Sequence, residues 1–187
     1  DGWGKWVVAL FEATTPRTAG FNNIDMAQLT LPAIMLTMGL MWIGASPAGT
    51  GGGIKTSTLA IMILNVFSMA KGKDRIEIYR REISNNSVRR AFAVVYLSLL
   101  IIFLGVLSIT ILEPQLPTRF VLFEVISAFG TAGLSMGITA ALGAKAKIVI
   151  MVIMFTGRVG MLTLLIAFIK KTKEKSYRYP KEDININ

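Results

Sequence analysis

Cysteine and histidine are both missing from this 187-residue chain, and charged residues make up only 17% of it. The first two absences remove thiol and imidazole chemistry, and with them most zinc, haem and iron–sulfur sites. A chain without cysteine fits any redox compartment. The shortage of charge, against 53% hydrophobic residues, lies outside the mix of an ordinary soluble domain. Where charge is lacking decides the class. Residues 26–54, 56–70 and 91–112 carry none, and 148–169 carry one, Arg158. A membrane-spanning helix needs about 20 such residues, so the sequence reads as an all-α integral membrane protein.

The net charge of +9 could suggest nucleic acid, but its placement argues against that partner. Residues 71–90 hold seven basic side chains and the tail after Ile169 holds six. Thirteen of twenty basic residues therefore flank membrane exits, as the positive-inside bias expects. Two spans, near 91–112 and 148–169, separate the clusters and put both on the cytoplasmic side, with membrane lipid as a neighbour of the basic tail. Lys145 and Lys147, at the outer end of the last span, run mildly against the rule. The stretch 71–90, with Tyr79-Arg80-Arg81-Glu82, reads as a solvated hairpin or a docking face for a regulatory partner.

What is present is an internal repeat. Thr18-Ala19-Gly20 and Thr131-Ala132-Gly133 lie 113 residues apart, and Phe-Glu precedes the Thr by seven residues in one copy and eight in the other. A membrane chain that repeats a Gly-centred loop after a short helix is most simply lining a pore with backbone carbonyls. Glycine permits the dihedrals that aim successive carbonyls at a dehydrated monovalent cation. Thr18, Ala19, Gly20 and Phe21, with Thr131, Ala132, Gly133 and Leu134, are the expected filter. Glu12 and Glu124, in matching places on the preceding helices, either attract cations or accept hydrogen bonds that hold the filter. Arg17 and Asn22 adjoin the first filter, Arg17 as a donor to local carbonyls.

The expected plan is two units of entering helix, re-entrant helix, Gly loop and exiting helix. The first covers 1–70: a re-entrant helix at 3–14, a loop at 17–23 and an exiting segment at 28–69. The second covers 89–169: an entering helix at 89–112, a re-entrant helix at 119–129, a loop at 130–136 and an exiting helix at 145–169. A linker, 71–88, joins them, and the tail is 170–187. The first exiting segment would reach about 60 Å as one helix, twice the hydrocarbon thickness. It must break at 44–58, where five glycines and Pro47 fall in fifteen residues. Irregular backbone at membrane depth survives only inside protein or beside a water-filled cavity. Gly49, Gly51, Gly52, Gly53 and Lys55 are therefore expected in a gate across the pore. The run Gly51-Gly52-Gly53-Ile54-Lys55-Thr56 is not a nucleotide loop, because Ile54 separates Gly from Lys. Arg158 lies 25 residues after Gly133, and the same offset from Gly20 falls on Ala45. An ionisable residue at that depth is a functional candidate, either neutralising the loop's carbonyls or standing as a positive barrier.

Arg17-Thr18-Ala19-Gly20-Phe21-Asn22, Ile43-Gly44-Ala45-Ser46-Pro47 with Thr50-Gly51-Gly52-Gly53-Ile54-Lys55-Thr56, and Gly157-Arg158-Val159-Gly160 resemble the Trk/Ktr/HKT superfamily of potassium transporters. The ending Tyr177-Arg178-Tyr179-Pro180-Lys181-Glu182 looks most like its bacterial KtrB and TrkH branch. The resemblance implies four helix–pore–helix repeats around one pore, of which this chain would supply the third and fourth. It implies that K⁺ is the transported ion, that 44–58 is an intramembrane gating loop and that Arg158 faces it. A homodimer in the bacterial cytoplasmic membrane and a cytoplasmic nucleotide-binding regulatory subunit of the TrkA/KtrA type follow as expected partners. Because two repeats cannot close a four-sided pore, and the chain opens at Asp1, it reads as an excerpt whose N-terminal half lies elsewhere. The alternatives are a non-conducting half acting as an interaction module, and a pore passing sodium as well as potassium. Catalysis is not expected.

Overall fold

The computed structural model describes residues 2–47, 49, 51–72, 75–78, 81–160 and 163. Ala48 and Thr50 of the loop, Lys73, Tyr79 and Arg80 of the hairpin, and the whole basic tail lie outside the described residues.

The chain is mostly helical. In order come α1 (Trp3–Thr14), a 3₁₀ turn (Met26–Gln28), α2 (Leu31–Trp42), α3 (Thr56–Ala70), the strand pair β1 (Glu77–Ile78) and β2 (Arg81–Glu82), α4 (Asn85–Leu112), α5 (Thr118–Gly130) and α6 (Ala144–Val159). The strands pair antiparallel, Glu77 with Glu82 and Ile78 with Arg81, a small addition to the expected all-helical plan. The hairpin folds back on α3, where the Ser68 hydroxyl donates to the Arg75 carbonyl at 2.9 Å and Ile76 is buried.

Helix α4 shows which solvent the fold is built for. Ser84 caps its start by accepting from the Ser87 N–H. Its buried positions, Ala91, Val95, Ser98, Ile102, Gly105 and Ile109, recur every three or four residues and form one stripe. The opposite face is equally apolar and fully presented, with Phe92, Tyr96, Leu99, Phe103 and Leu107 exposed. A helix that is apolar all round and buried on one side only suits lipid or a further protein surface. Its 28 residues, with a mean hydropathy of 2.7 over the most apolar window, are long enough to cross.

Helices α3, α5 and α6 pack on α4, and α2 and α6 pack on α5, while α1 buries no residue. A Cβ added at Gly157 of α6 would lie 2.0 Å from the Phe129 carbonyl oxygen at the end of α5, and one at Gly130 would lie 2.2 Å from the Met41 oxygen. Gly157→Ala is accordingly expected to destabilise the protein by about 1–3 kcal/mol or more through forced separation of α5 and α6. Thermal unfolding of the complete membrane protein checks this, and an unchanged midpoint would contradict it.

Two boundaries differ from expectation. The break in the first exiting segment is shorter than 44–58, because Thr56, Ser57 and Thr58 already belong to α3. Gly53 is the last glycine, and after the extended Lys55 (φ −66°, ψ 143°) nothing opposes helix. The last exiting helix was expected over 145–169; α6 runs to Val159 and is interrupted at Gly160 (φ 88°), Thr163 is helical again, and residues 161, 162 and 164–169 lie outside the described residues. A left-handed glycine is a common helix stop. Arg158 therefore stands in the last turn of α6, beside its carbonyl end, where a cation is favoured.

Candidate functional site

Both Thr-Ala-Gly loops are built the same way. Each follows a short helix, α1 or α5, and each has the Thr and the Gly two residues later at positive φ: 68° and 72° at Thr18 and Gly20, 50° and 83° at Thr131 and Gly133. Positive φ is rare for a β-branched residue and costs of order 1–3 kcal/mol, so it persists only where the surroundings impose it. Hydrogen bonds to the preceding helix supply the constraint. In the first loop the Ala19 N–H donates to the Thr15 carbonyl at 3.2 Å and the Thr15 hydroxyl donates to the Phe21 carbonyl at 2.9 Å. In the second the Ala132 N–H donates to the Ser127 carbonyl at 2.9 Å.

The loops meet glycine to glycine. A Cβ on Gly20 would lie 2.8 Å from the Ala132 oxygen and 3.6 Å from the Gly133 Cα, and one on Gly133 would lie 3.4 Å from the Gly20 Cα. Phe21 is exposed, whereas Ala132 and Leu134 are buried.

The broken segment between α2 and α3 lies against both loops. A parallel bridge pairs Ile43 with Ile54: the Gly44 N–H donates to the Ile54 carbonyl at 2.9 Å and the Ile54 N–H donates to the Trp42 carbonyl at 3.1 Å. This closes the intervening residues into a loop. Within it, the Gly52 N–H donates to the Thr131 hydroxyl at 2.9 Å, and a Cβ on Gly51 would fall 2.8 Å from the Thr18 hydroxyl. One loop thus touches the Thr of each repeat.

Lys55 ties that loop shut. Its Nζ donates to the Gly49 carbonyl at 3.0 Å and to the Gly51 carbonyl at 2.9 Å. Neutralising the loop's carbonyls was one of two tasks expected of Arg158. In the structure this lysine, inside the loop, does it. Arg158 is exposed and lines a cavity of about 280 Å³ together with Gly51, Gly53, Lys55 and Phe129. Two positive side chains therefore border one space beneath the glycines.

The two glutamates have different surroundings. Glu124, on α5, is 7% exposed and accepts from the Ser135 hydroxyl at 2.8 Å and from the Thr139 hydroxyl. Glu12 has one carboxylate oxygen buried without a hydrogen bond among the described residues. The repeat explains the difference. Asn22 occupies the place of Ser135, and each closes the same turn, Asn22 accepting from the Ile24 N–H at 3.2 Å and Ser135 from the Gly137 N–H at 3.0 Å. The place of Thr139, however, holds Met26, which has no hydroxyl to offer. Arg17 is exposed on the surface; its backbone N–H donates to the Thr14 carbonyl at 3.1 Å, and its side chain makes no hydrogen bond among the described residues. Ser135 and Thr139 were not anticipated, although Ser135 follows Thr-Ala-Gly-Leu where Asn22 follows Thr-Ala-Gly-Phe.

A family model described as a cation transport protein, TrkH, matches residues 4–179. The chain belongs to the TrkH family. It is 43% identical over 180 residues to the Ktr system potassium uptake protein B of Bacillus subtilis and 41% identical over 179 residues to that organism's Ktr system potassium uptake protein D. It is also 41% identical over 179 residues to the potassium/sodium uptake protein NtpJ of Enterococcus hirae. These matches cover 96%, 96% and 93% of this chain and 40% of each relative. The chain thus spans about 40% of the length of the curated relatives it matches. The fold resembles the crystal structure of the potassium transporter TrkH from Vibrio parahaemolyticus, with a TM-score of 0.71 at 22% identity over 86% of this chain and 36% of that one. Family membership and the apolar surface of α4 make this a membrane protein.

Proposed function

We propose that the chain forms two of the pore-lining segments of a potassium uptake pore in the bacterial cytoplasmic membrane. The observation that carries this reading is the apposition of Gly20 and Gly133 on two loops with the same pair of left-handed residues. Potassium exchanges its hydration shell for carbonyl oxygens of 18–21 and 131–134. Below them it meets the loop that lies against Thr18 and Thr131, and then the space bordered by Lys55 and Arg158. The membrane potential drives the ion inward at about 2.3 kcal/mol per charge for each 100 mV. Further segments of the same plan complete the pore. A second copy and a cytoplasmic nucleotide-binding subunit are its proposed partners, the latter docking on the basic residues of 71–90. The name of the Enterococcus relative favours a second reading, a pore that admits sodium as well. Glycine in both filter loops argues for potassium.

Potassium flux into vesicles holding the complete protein tests the proposal. Arg158→Ala is expected to raise that flux several-fold by removing one of two charges that repel the ion from a confined space. A correctly folded Arg158→Ala protein conducting at the wild-type rate would count against the barrier, and a wild-type protein without potassium flux would count against the pore.

A further inference from the structure

A cavity of about 250 Å³ lies between α5, α6 and the second Gly loop, and its walls include Glu124, Ser127, Thr131, Ser135 and Thr139. Its acid is in an unusual position. Glu124 is more than nine-tenths buried, and no Lys or Arg among the described residues pairs with it. Buried charge is ordinarily paired or bound to a cation. Its two partners are neutral hydroxyls, and they also approach each other, Ser135 Oγ to Thr139 Oγ1 at 2.9 Å. Ser135, Thr139 and Glu124 therefore make three oxygen–oxygen contacts, for which the two hydroxyls supply only two protons. With Glu124 as a carboxylate, one contact is left without a proton.

A second observation points into the same space. Ser127 is 3% exposed and lines the cavity, yet its hydroxyl has no hydrogen-bond partner among the described residues. Its backbone carbonyl is already used by the Ala132 N–H. The donor set is thus one carboxylate and several hydroxyls, all oxygen, which suits a hard cation. A single negative charge suits a monovalent one. With a share of about 30 Å³ per water molecule, the volume holds an ion and part of its hydration shell.

We propose that this cavity is a binding site for one partly hydrated monovalent cation, held by Glu124, Ser127, Ser135 and Thr139 on the α6 side of the second Gly loop. The ion closes the charge balance of the cluster that braces residues 131–139. The site rests on the cavity and its donors, and does not depend on ions passing between Gly20 and Gly133.

The test uses the complete transporter in detergent, with thermal unfolding followed in choline chloride as sodium, potassium or lithium chloride replaces it at constant ionic strength. For at least one of the three ions, Ser127→Ala is expected to raise the concentration giving half-maximal stabilisation about tenfold, the loss of one oxygen ligand. Its melting temperature in choline alone should equal that of the wild type, because the hydroxyl holds nothing else. Glu124→Gln should abolish the same component. An unmoved midpoint in Ser127→Ala for all three ions overturns the site, whatever Glu124→Gln does.

Discussion

Deleting Gly51, Gly52 and Gly53 is expected to raise potassium flux through the complete protein by about tenfold or more. These residues touch Thr18 on one repeat and Thr131 on the other, and the Gly52 N–H is hydrogen-bonded to the Thr131 hydroxyl. Removing them detaches the loop from both. Lys55→Met separates loop length from loop anchoring. It keeps the loop's length but loses the two bonds to the Gly49 and Gly51 carbonyls. Hydrogen bonds to a charged group contribute about 1.5–3 kcal/mol each, and 1.4 kcal/mol is a factor of ten in an equilibrium. Losing two therefore shifts the balance between held and released loop by more than tenfold. Ion flux in vesicles reads the outcome. Folded variants that conduct at the wild-type rate would remove the loop from the gate.

Gly20→Ser is expected to lower the preference for potassium over sodium by about tenfold or more. Gly20 holds φ 72°, where an L side chain is strained, and its Cβ would press within 2.8 Å of the Ala132 oxygen. The substitution therefore disturbs its own loop and the facing one together. Gly133→Ser carries the same dihedral strain at φ 83°, but its Cβ meets the Gly20 Cα at a tolerable 3.4 Å. Its effect should be in the same direction and smaller. Flux ratios measured with each ion in turn decide the matter, and unchanged ratios would take the glycines out of the filter.

Much of the helical layout was legible because apolar runs and glycine clusters are one-dimensional signals. Helix α1 occupies 3–14 as expected, α4 and α5 begin within four residues of their expected starts, and the break falls where glycine accumulates. Matching Thr-Ala-Gly copies pointed to two equivalent loops, and their dihedrals agree. The misses have physical causes. Gly160 comes three residues after Gly157 and two after Arg158 in an otherwise apolar run that a helix tolerates, so its positive φ was not expected. Lys55 was expected in the gate, but not as the residue bonded to the loop's carbonyls, because those carbonyls curl back to it from four and six residues away. The partners of Glu124 come from residues 11 and 15 positions later, and only the fold of the second loop brings them to it.

The central claim is that the two Gly loops line one path for the same ion. The most direct test is the potassium-to-sodium flux ratio of the complete protein for wild type, Gly20→Ser, Gly133→Ser and the double variant. Substitutions in contact should not add, with an interaction of about 0.5–3 kcal/mol. The account predicts that each single change lowers the ratio and that the double falls well short of the sum. Unchanged ratios in both single variants, or strict additivity in the double, would contradict it.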